Sequence, residues 1–175
     1  MIEAMSTVSE VLSALREFPS NSERGTAFEK LMVRYFQMHP ILGQEYDQVC
    51  RWVDWEFRDN RSDAGIDLVA RNREKQTWTA IQCKFYEPTH HLAKRDLDSF
   101  FTESGRGFHT PEGIRHFTNR IIVSTTDRWG KNAEESLAEQ AIPVQRFGLA
   151  DIAEAPLDWD IVYPGSNVEP RFELS

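Results

Sequence analysis

The stretch DAGIDLVARNREKQTWTAIQCKFY, residues 63–86, decides the fold because it contains two apolar runs separated by a charged turn. The runs GIDLVAR and TWTAIQCKFY contain β-branched and aromatic residues, and NREKQ between them is wholly polar. This pattern predicts two neighbouring strands joined by a hairpin turn. Polar side chains interrupt both runs: Asp67 lies in the first, and Gln82 and Lys84 lie in the second.

These three polar side chains are expected to converge. Side chains alternate between the two faces of a strand, so Asp67 is predicted on one side of the sheet together with Gln82 and Lys84. The opposite face of the two strands is apolar and carries Ile66, Leu68, Ala70, Ile81, Cys83 and Phe85. Burying an unpaired carboxylate or ammonium costs several kcal/mol. We therefore expect the charges of Asp67 and Lys84 to compensate each other, or the cluster to hold a cation.

The chemistry of this group indicates a hard metal ion. Carboxylate, amide and carbonyl oxygens are the ligands that suit Mg²⁺ or Mn²⁺. Lys84 cannot be a ligand while it is protonated, but it could orient or deprotonate a water or offset the charge of a phosphate. Glu29 lies upstream on a strongly amphipathic segment, on an apolar flank beside Met32 and Val33, and could reach the same metal. A solvent-facing helix position is the alternative for Glu29.

The bulk composition is that of one soluble domain. The chain has 175 residues, of which 40% are hydrophobic and 27% charged. No apolar run approaches the roughly 18 residues of a membrane span, and residues 1–20 lack the basic start and apolar block of a secretory signal. Two cysteines are too few for a disulfide framework. We therefore expect a cytoplasmic protein without a membrane partner.

The net charge of −8 argues against a generic nucleic-acid binder. The acidity, however, lies in the ends of the chain. Residues 1–23 contain four acids and one base, residues 150–175 contain six acids and one base, and residues 24–149 contain 18 of each. The middle of the chain is neutral and is free to carry a local basic face.

The remaining pattern predicts an α/β fold. Helical spacing indicates helices over residues 6–18, 21–40, 91–105 and 130–140, and further strands are predicted over 46–59, 119–127 and 142–147. Ile121–Val123 is apolar on both faces, which is typical of a buried parallel strand. Together these elements predict a mixed central sheet of about four or five strands, flanked by helices, with a right-handed crossover near its end.

The spacing D-x14-Q-x-K, formed by Asp67, Gln82 and Lys84, resembles the motif of the PD-(D/E)xK nuclease superfamily. Glutamine in place of the acid resembles Mrr-like restriction endonucleases, and the order of elements matches over residues 24–150. More narrowly, AIQCKFY, LDSFF and RIIVSTTDRWGKNAEE look like the N-terminal nuclease domain of the large single-chain Type ISP restriction–modification enzymes.

This resemblance implies a restriction-endonuclease-like fold and metal-dependent hydrolysis of phosphodiester bonds in double-stranded DNA. It implies that Asp67 and the backbone carbonyl of Cys83 hold Mg²⁺ or Mn²⁺, and that Glu29 ligates directly or through water. Gln82 takes the usual acid position, and Lys84 assists the attacking water. The sequence departs from the family at two points, because no proline precedes Asp67 and because Gln82 is neutral. The number of metal ions therefore stays open.

The Type ISP resemblance also implies partners. In those enzymes a helicase-like ATPase and a methyltransferase follow the nuclease domain, so ATP would act only through a downstream motor. No phosphate-binding G-x-x-x-x-G-K-[ST] occurs in these 175 residues. The expected organisation is an N-terminal helical extension (1–23), a nuclease domain (24–150) and an acidic linker (151–175). Two nuclease copies would meet transiently to cut both strands.

Several residues are candidates for DNA contact, each with a plainer alternative. Ser124, Thr125 and Thr126 follow a buried strand and could bond a phosphate, or they could cap the next helix. Basic residues in and near the hairpin and on the following helix could meet backbone phosphates, or they could be solvated charges: Arg71, Arg73, Lys75, Lys94 and Arg95. Asp63 is expected in a turn. The alternative for the whole chain is a catalytically inert domain of the same fold that guides or docks DNA.

Overall fold

The computed structural model describes residues 7–58, 61 and 65–163. Its strands are β1 (Tyr46–Arg51), β2 (Leu68–Asn72), β3 (Trp78–Lys84), β4 (Phe108–Thr110), β5 (Gly113–Arg115), β6 (Asn119–Ser124) and β7 (Val144–Phe147). Its α-helices are α1 (Val8–Arg16), α2 (Asn21–Met38), α3 (Leu42–Glu45), α4 (Asp98–Ser104), α5 (Lys131–Ala138), α6 (Leu149–Glu154) and α7 (Trp159–Val162). Among these helices, none is long and apolar enough to cross a bilayer. Asp63, predicted in a turn, lies outside the described residues.

A five-stranded mixed sheet forms the centre of the fold, in the order β1-β2-β3-β6-β7. The hairpin strands β2 and β3 pair antiparallel, and β1 pairs antiparallel with β2. β6 then pairs parallel with β3, and β7 pairs parallel with β6, so α5 is the helix of a crossover unit. The predicted mixed α/β sheet and its buried parallel strand are therefore confirmed.

Each face of the sheet is covered by a separate hydrophobic cluster. The cluster on the α1/α2 face joins those helices to Leu68, Ala70, Ile81, Ile121 and Val123 of the sheet. The cluster on the α4/α5 face joins Phe100 and Ala133 to Val69, Ala80 and Ile122. Alternate residues of β2, β3 and β6 thus enter opposite clusters, as expected for a sheet buried on both sides. A small hairpin of β4 and β5, not predicted, lies apart from this sheet.

The first two helices begin and end where local chemistry requires. Thr7 caps α1, since its hydroxyl accepts a hydrogen bond from the Glu10 N–H and the Glu10 carboxylate accepts one from the Thr7 N–H, both at 3.2 Å. Ser20 caps α2 by accepting from the Glu23 N–H at 3.0 Å. α2 ends at Met38 because the residue before Pro40 is forced into extended backbone. The two helices therefore lie at fixed positions against the sheet.

Two predicted elements are wrong in extent. The strand expected over residues 46–59 stops at Arg51, where a 3-10 turn (Trp52–Asp54) follows. This turn brings Trp52 and Trp55 into the same aromatic cluster, their ring centroids 5.4 Å apart, which an alternating strand could not do. The helix expected over 91–105 is a 3-10 turn (Lys94–Asp96) followed by the shorter α4.

The predicted acidic linker does not begin at residue 151. Residues 149–162 form α6 and α7, which pack on the α1/α2 face through the buried residues Ile152, Trp159 and Val162. The Arg34 guanidinium of α2 donates hydrogen bonds at 2.9 Å to the carbonyls of Ile161 and Val162. Sequence analysis missed these two helices because the segment is acidic and only a few of its apolar residues pack on the sheet face. Residues 164–175 lie outside the described part of the chain.

We expect Trp159→Ala to lower the free energy of unfolding by about 3–5 kcal/mol, because it removes a large side chain that is only 4% exposed. Ile161→Ala is the matched control, since Ile161 lies two residues away and is 54% exposed. Urea unfolding followed by circular dichroism measures both. Equal, small losses in the two variants would show that α7 does not belong to the folded domain.

Candidate active site

Asp67 is fixed where β2 and β3 separate. Its N–H donates to the Ile81 carbonyl at 3.0 Å, and its carbonyl accepts from the Trp52 N–H at 2.8 Å. Its carboxylate oxygen Oδ2 accepts a hydrogen bond from the backbone N–H of Cys83 at 2.8 Å. The ladder between β2 and β3 ends at the pair Leu68–Ile81, so this side chain takes the place of the next backbone partner. The carboxylate is thereby held against the end of β3.

The predicted alternation of side chains fails at Ile66. This residue joins the cluster on the α4/α5 face with Val69, instead of lying on the same face as Leu68. Gly65 explains the change, since its φ of +95° is a left-handed conformation that turns the chain before β2 begins. Parity alone therefore does not place Asp67; its hydrogen bond to Cys83 does.

Gln82 is buried beside this turn, with 3% of its surface exposed. Its Nε2 donates a hydrogen bond to the Gly65 carbonyl at 3.0 Å, which fixes the orientation of the amide. The other amide atom, Oε1, is buried and has no hydrogen-bond partner within the described structure. A buried acceptor without a partner costs about 1–3 kcal/mol, and an oxygen-seeking cation would satisfy it.

Cys83 contributes its backbone. In a strand the N–H and C=O of one residue project to the same side, so the Cys83 carbonyl projects toward the side on which its N–H meets Asp67. Its thiol is an inert group. Burial raises the pKa of the Cys83 thiol well above its usual value, the Asp67 and Glu29 carboxylates raise it further, and the Lys84 ammonium opposes them. Both carboxylates thus act electrostatically at the same strand end.

Glu29 lies on α2 and faces the sheet. Its carboxylate oxygen Oε1 is 3.3 Å from Nε of Arg51, and the two side chains are 20% and 21% exposed. The expectation that Glu29 lies on an inward flank of the helix agrees with this position. Sequence reasoning missed Arg51, because the alternation of apolar and polar residues in β1 does not indicate which acid a basic side chain will pair with. Metal ligation by Glu29 stays a prediction.

Lys84, at the end of β3, acts electrostatically on an acid that sequence reasoning missed, Asp96. Burial would raise the pKa of the Asp96 carboxyl, but the Ala93 N–H, His90 and the Lys84 ammonium lower it below its usual value. The Tyr86 hydroxyl donates to Asp96 Oδ1 at 3.3 Å, and the Tyr86 ring stacks on His90 with centroids 3.9 Å apart. No signal marked Asp96 in the sequence, because it enters from a loop.

The three predicted hydroxyls after β6 are buried and bonded to backbone. The Thr125 hydroxyl donates to the Tyr86 carbonyl at 2.5 Å, and the Thr126 hydroxyl donates to the His90 carbonyl at 2.6 Å. The Ser124 hydroxyl donates to the Thr126 carbonyl at 2.6 Å. The alternative that they cap the next helix is wrong, since Gly130 is the N-cap of α5. They hold the loop that follows Lys84; contact with DNA stays a prediction.

The basic candidates divide between the two ends of the sheet. Arg71 is paired with Asp47, Nε to Oδ1 at 2.9 Å, and Arg73 donates to the carbonyls of Gln44 and Gly43. Both lie toward the turn between β2 and β3, opposite the end where Asp67 meets Cys83. Lys94 lies in the same 3-10 turn as Asp96, and its ammonium is 3.0 Å from the Asp98 carboxylate.

The side chains at this strand end suit hydrolytic chemistry on an anion. Within the described residues, no group of three or more His, Cys, Asp or Glu side chains could hold a metal, so a zinc-type cluster is not present there. Asp67 and Gln82 offer oxygen donors, a backbone carbonyl lies beside them, and Lys84 supplies a positive charge. Such a set can hold a hard cation and meet a phosphate.

Residues 37–169 match the family model Mrr_cat_2, described as restriction endonuclease. The chain belongs to this restriction endonuclease family. The matched range contains Asp67, Gln82 and Lys84, while Glu29 precedes it. No curated protein matches the chain.

Two solved restriction enzymes resemble this family member. One is described as the ATP-dependent Type ISP restriction–modification enzyme LlaBIII bound to DNA, with 26% identity over 89% of this chain and a TM-score of 0.69. The other is the DNA modification-dependent restriction endonuclease AspBHI, with 15% identity over 87% of this chain and a TM-score of 0.50. The chain spans 9% of the length of LlaBIII and 37% of that of AspBHI. The restriction-endonuclease-like fold is confirmed.

We expect Gly65→Ala to lower the free energy of unfolding of this restriction endonuclease domain by about 1–3 kcal/mol. A Cβ there would lie 2.9 Å from the Ser99 hydroxyl oxygen and 3.3 Å from the Phe100 nitrogen, at a φ of +95°. Gly113→Ala is the control, because Gly113 has a similar φ of +115° but open space around it. Thermal and urea unfolding measure the difference. Equal losses would show that backbone strain alone, and not the close approach of α4, requires glycine at residue 65.

Proposed function

We propose that this chain is a metal-dependent endonuclease domain that hydrolyses phosphodiester bonds of double-stranded DNA. The observation that carries the proposal is the hydrogen bond that holds the Asp67 carboxylate on the Cys83 amide. The preceding residue, Gln82, has a buried Oε1 that accepts no hydrogen bond within the described part of the chain. Membership of the restriction endonuclease family supports the reaction class. In this reaction a water adds to phosphorus and a P–O bond of the backbone breaks.

The residues present fit Mg²⁺ or Mn²⁺. We expect the metal to be held by the Asp67 carboxylate, Gln82 Oε1 and the Cys83 carbonyl, with Glu29 directly or through water. All four are oxygen donors, and the buried Oε1, which accepts no hydrogen bond from any described residue, is an oxygen that a cation would satisfy. When bound, such an ion polarises the phosphate and lowers the pKa of a water. Gln82 contributes no charge, so the carboxylates of Asp67 and Glu29 carry the electrostatic attraction.

Lys84 is the residue proposed to meet the reacting groups. It emerges at the end of β3 beyond the metal-binding residues, and the loop that follows it is held by Thr125, whose N–H donates to the Lys84 carbonyl at 3.1 Å. From this position its amine can orient the attacking water or offset the charge of the phosphate. The fixed backbone keeps the amine near the scissile bond.

The rival function is an inert domain of the same fold that guides or docks DNA. An inert domain needs no polar group in the interior of the sheet, and a buried Gln with an unsatisfied oxygen would be a pure cost to stability. The presence of Asp67, Gln82 and Lys84 together at one strand end therefore favours the enzyme.

The finer proposal is that the domain is the nuclease part of an ATP-dependent restriction–modification enzyme. It is supported by the similarity to LlaBIII, which extends over 89% of this chain but only 9% of that one. ATP would act through a helicase-like motor outside these 175 residues, and a methyltransferase would accompany it. A transient pair of nuclease domains would allow both DNA strands to be cut.

We expect Asp67→Ala and Lys84→Ala each to lower the rate of plasmid DNA cleavage at least about a hundredfold, because one removes a metal ligand and the other the cation beside the phosphate. Nicking of supercoiled plasmid with Mg²⁺ or Mn²⁺ measures the rate, and EDTA should abolish it. Asp98→Ala is the control, since the Asp98 side chain is exposed and forms an ion pair with the equally exposed Lys94.

Two results would contradict this assignment. Cleavage by both variants at the wild-type rate would place the chemistry elsewhere in the chain. A wild-type chain that binds DNA but does not cut it with either metal, alone or with its natural downstream domains, would favour the inert alternative.

Gln82→Glu should convert the neutral amide oxygen into a charged ligand. Without metal we expect a lower melting temperature, because a carboxylate is buried and the Gly65 carbonyl loses the Nε2 donor at 3.0 Å. Saturating Mg²⁺ should raise the melting temperature more in this variant than in the wild type, since tighter binding to the folded state stabilises it further. Differential scanning fluorimetry measures both shifts without any need for activity. If Mg²⁺ raised the melting temperature of the two proteins equally, Gln82 would not be a metal ligand.

A further inference from the structure

A surface cleft lies between Ala93–Arg95 and the start of α5. It measures about 340 Å³ and is lined by Ala93, Lys94, Arg95, Gly130, Lys131, Asn132 and Ala133. Three of these seven residues are cations and none is an acid. Cationic side chains therefore border this cleft, in a chain whose net charge is −8.

The two walls of the cleft are held together by backbone hydrogen bonds. The Leu92 N–H donates to the Arg128 carbonyl at 2.9 Å, and the Gly130 N–H donates to the Leu92 carbonyl at 2.8 Å. Gly130 keeps this approach close, because a Cβ there would lie 3.1 Å from the Leu92 carbonyl oxygen. The spacing between the two basic walls is thus fixed by the fold and does not depend on flexible side chains alone.

The cleft lies at the same end of the sheet as Lys84. β3 and β6 run parallel and end side by side at the pair Lys84–Ser124, and the loop leaving β6 forms one wall of the cleft. Asp96, which directly follows Arg95, interacts electrostatically with Lys84, and Arg95 interacts with the Tyr86 phenol. Because phosphates follow one another about every 3.4 Å of axis along a DNA strand, a strand with one phosphate at Lys84 brings its neighbours close to this cleft.

Two arginines at the cleft have their charge available. Among the described residues, no carboxylate lies within ion-pair distance of Arg95 or of Arg128, and both side chains are exposed. Lys94 and Lys131 each have an exposed partner four residues on, at 3.0 and 3.9 Å, and pairs of this kind are weak enough to yield to a phosphate.

The nearby acids are engaged elsewhere. The Asp127 carboxylate accepts from the Ala150 N–H at 3.1 Å, and the Glu134 carboxylate is 2.8 Å from the Arg146 guanidinium on β7. Asp96 is bonded to the Ala93 N–H and to the Tyr86 hydroxyl. These three carboxylates therefore leave the positive charge of Arg95 and Arg128 facing solvent, while Lys94 and Lys131 keep their weak, exposed pairs with Asp98 and Glu135.

We propose that this cleft, with Arg95 and Lys131 in its walls and Arg128 on the loop that leads to Gly130, binds backbone phosphates of duplex DNA that flank the scissile phosphate. The inference rests on the proposed nuclease function and adds the surface that holds the substrate strand. Contacts to phosphates position DNA without reading its sequence.

The test measures DNA binding without cleavage. The full chain is titrated into a fluorescently labelled duplex in EDTA over a series of salt concentrations, for the wild type and for the double variant Arg95→Gln and Arg128→Gln. We expect the dissociation constant to rise about tenfold or more, and the slope of log affinity against log salt to fall by about 2, one for each lost phosphate contact.

The matched control removes the same number of positive charges as the Arg95/Arg128 variant, but at the other end of the sheet. Arg106→Gln and Arg115→Gln remove two cations, one after α4 and one in β5 that bonds the Gln76 carbonyl of the turn between β2 and β3, and should leave the slope unchanged. Circular dichroism and the melting temperature check that each variant is folded. The two double variants have the same net charge, so any difference in their DNA affinity depends on where the removed cations lie.

The outcomes separate this inference from the nuclease assignment. Equal loss of affinity in the two double variants, or no loss in either, overturns the cleft while plasmid cleavage by the wild type still supports the nuclease. Tighter wild-type binding to duplex RNA of the same sequence overturns DNA as the partner. A wild type that binds no duplex at low salt overturns the cleft, whatever its activity.

Discussion

The hydrogen bond from the Cys83 amide to the Asp67 carboxylate is the constraint on which the rest of the site depends. At this point β2 and β3 separate, and the last backbone pair of their ladder is Leu68–Ile81. A buried N–H beyond that pair needs an acceptor, and the carboxylate supplies it at 2.8 Å. One contact therefore completes the backbone of β3 and orients an oxygen-rich side chain. Removal of the Asp67 side chain would therefore leave the Cys83 N–H without this acceptor and would also remove the proposed oxygen ligand.

The neutrality of Gln82 follows from its surroundings. Asp67 and Glu29 already act on the end of β3, as their effect on the pKa of the Cys83 thiol shows. Without a cation, a third carboxylate at residue 82 would be repelled by the carboxylates of Asp67 and Glu29. Its transfer from water into the buried site would also cost several kcal/mol. An amide instead donates to the Gly65 carbonyl and leaves one oxygen unsatisfied, at a cost of about 1–3 kcal/mol. Glutamine thus provides a ligand atom that the metal-free fold can tolerate.

The sequence predicted the features that depend on local pattern. The hairpin of β2 and β3, the buried parallel strand β6 and the crossover through α5 all follow from periodicity and turn chemistry. The failures depend on long-range contacts. Gly65 rotates Ile66 onto the other face because α4 lies against it, and α7 is helical because Trp159 and Val162 are buried on α2. Asp96 was missed since only the folded loop brings it to Lys84.

Net charge is a poor guide to this surface, because the arginines of the chain serve different purposes. Arg71 and Arg73 are occupied with Asp47 and with backbone carbonyls, and they stabilise the hairpin end of the sheet. Arg95 and Arg128 lie at the other end, and no carboxylate of the described chain is within ion-pair distance of either. A polyanion responds to the local potential within about 10 Å at moderate salt, not to a total that is set by distant acidic ends. The asymmetry between the two ends of the sheet is therefore the relevant electrostatic property, because the available positive charge lies at the end where β3 finishes with Lys84.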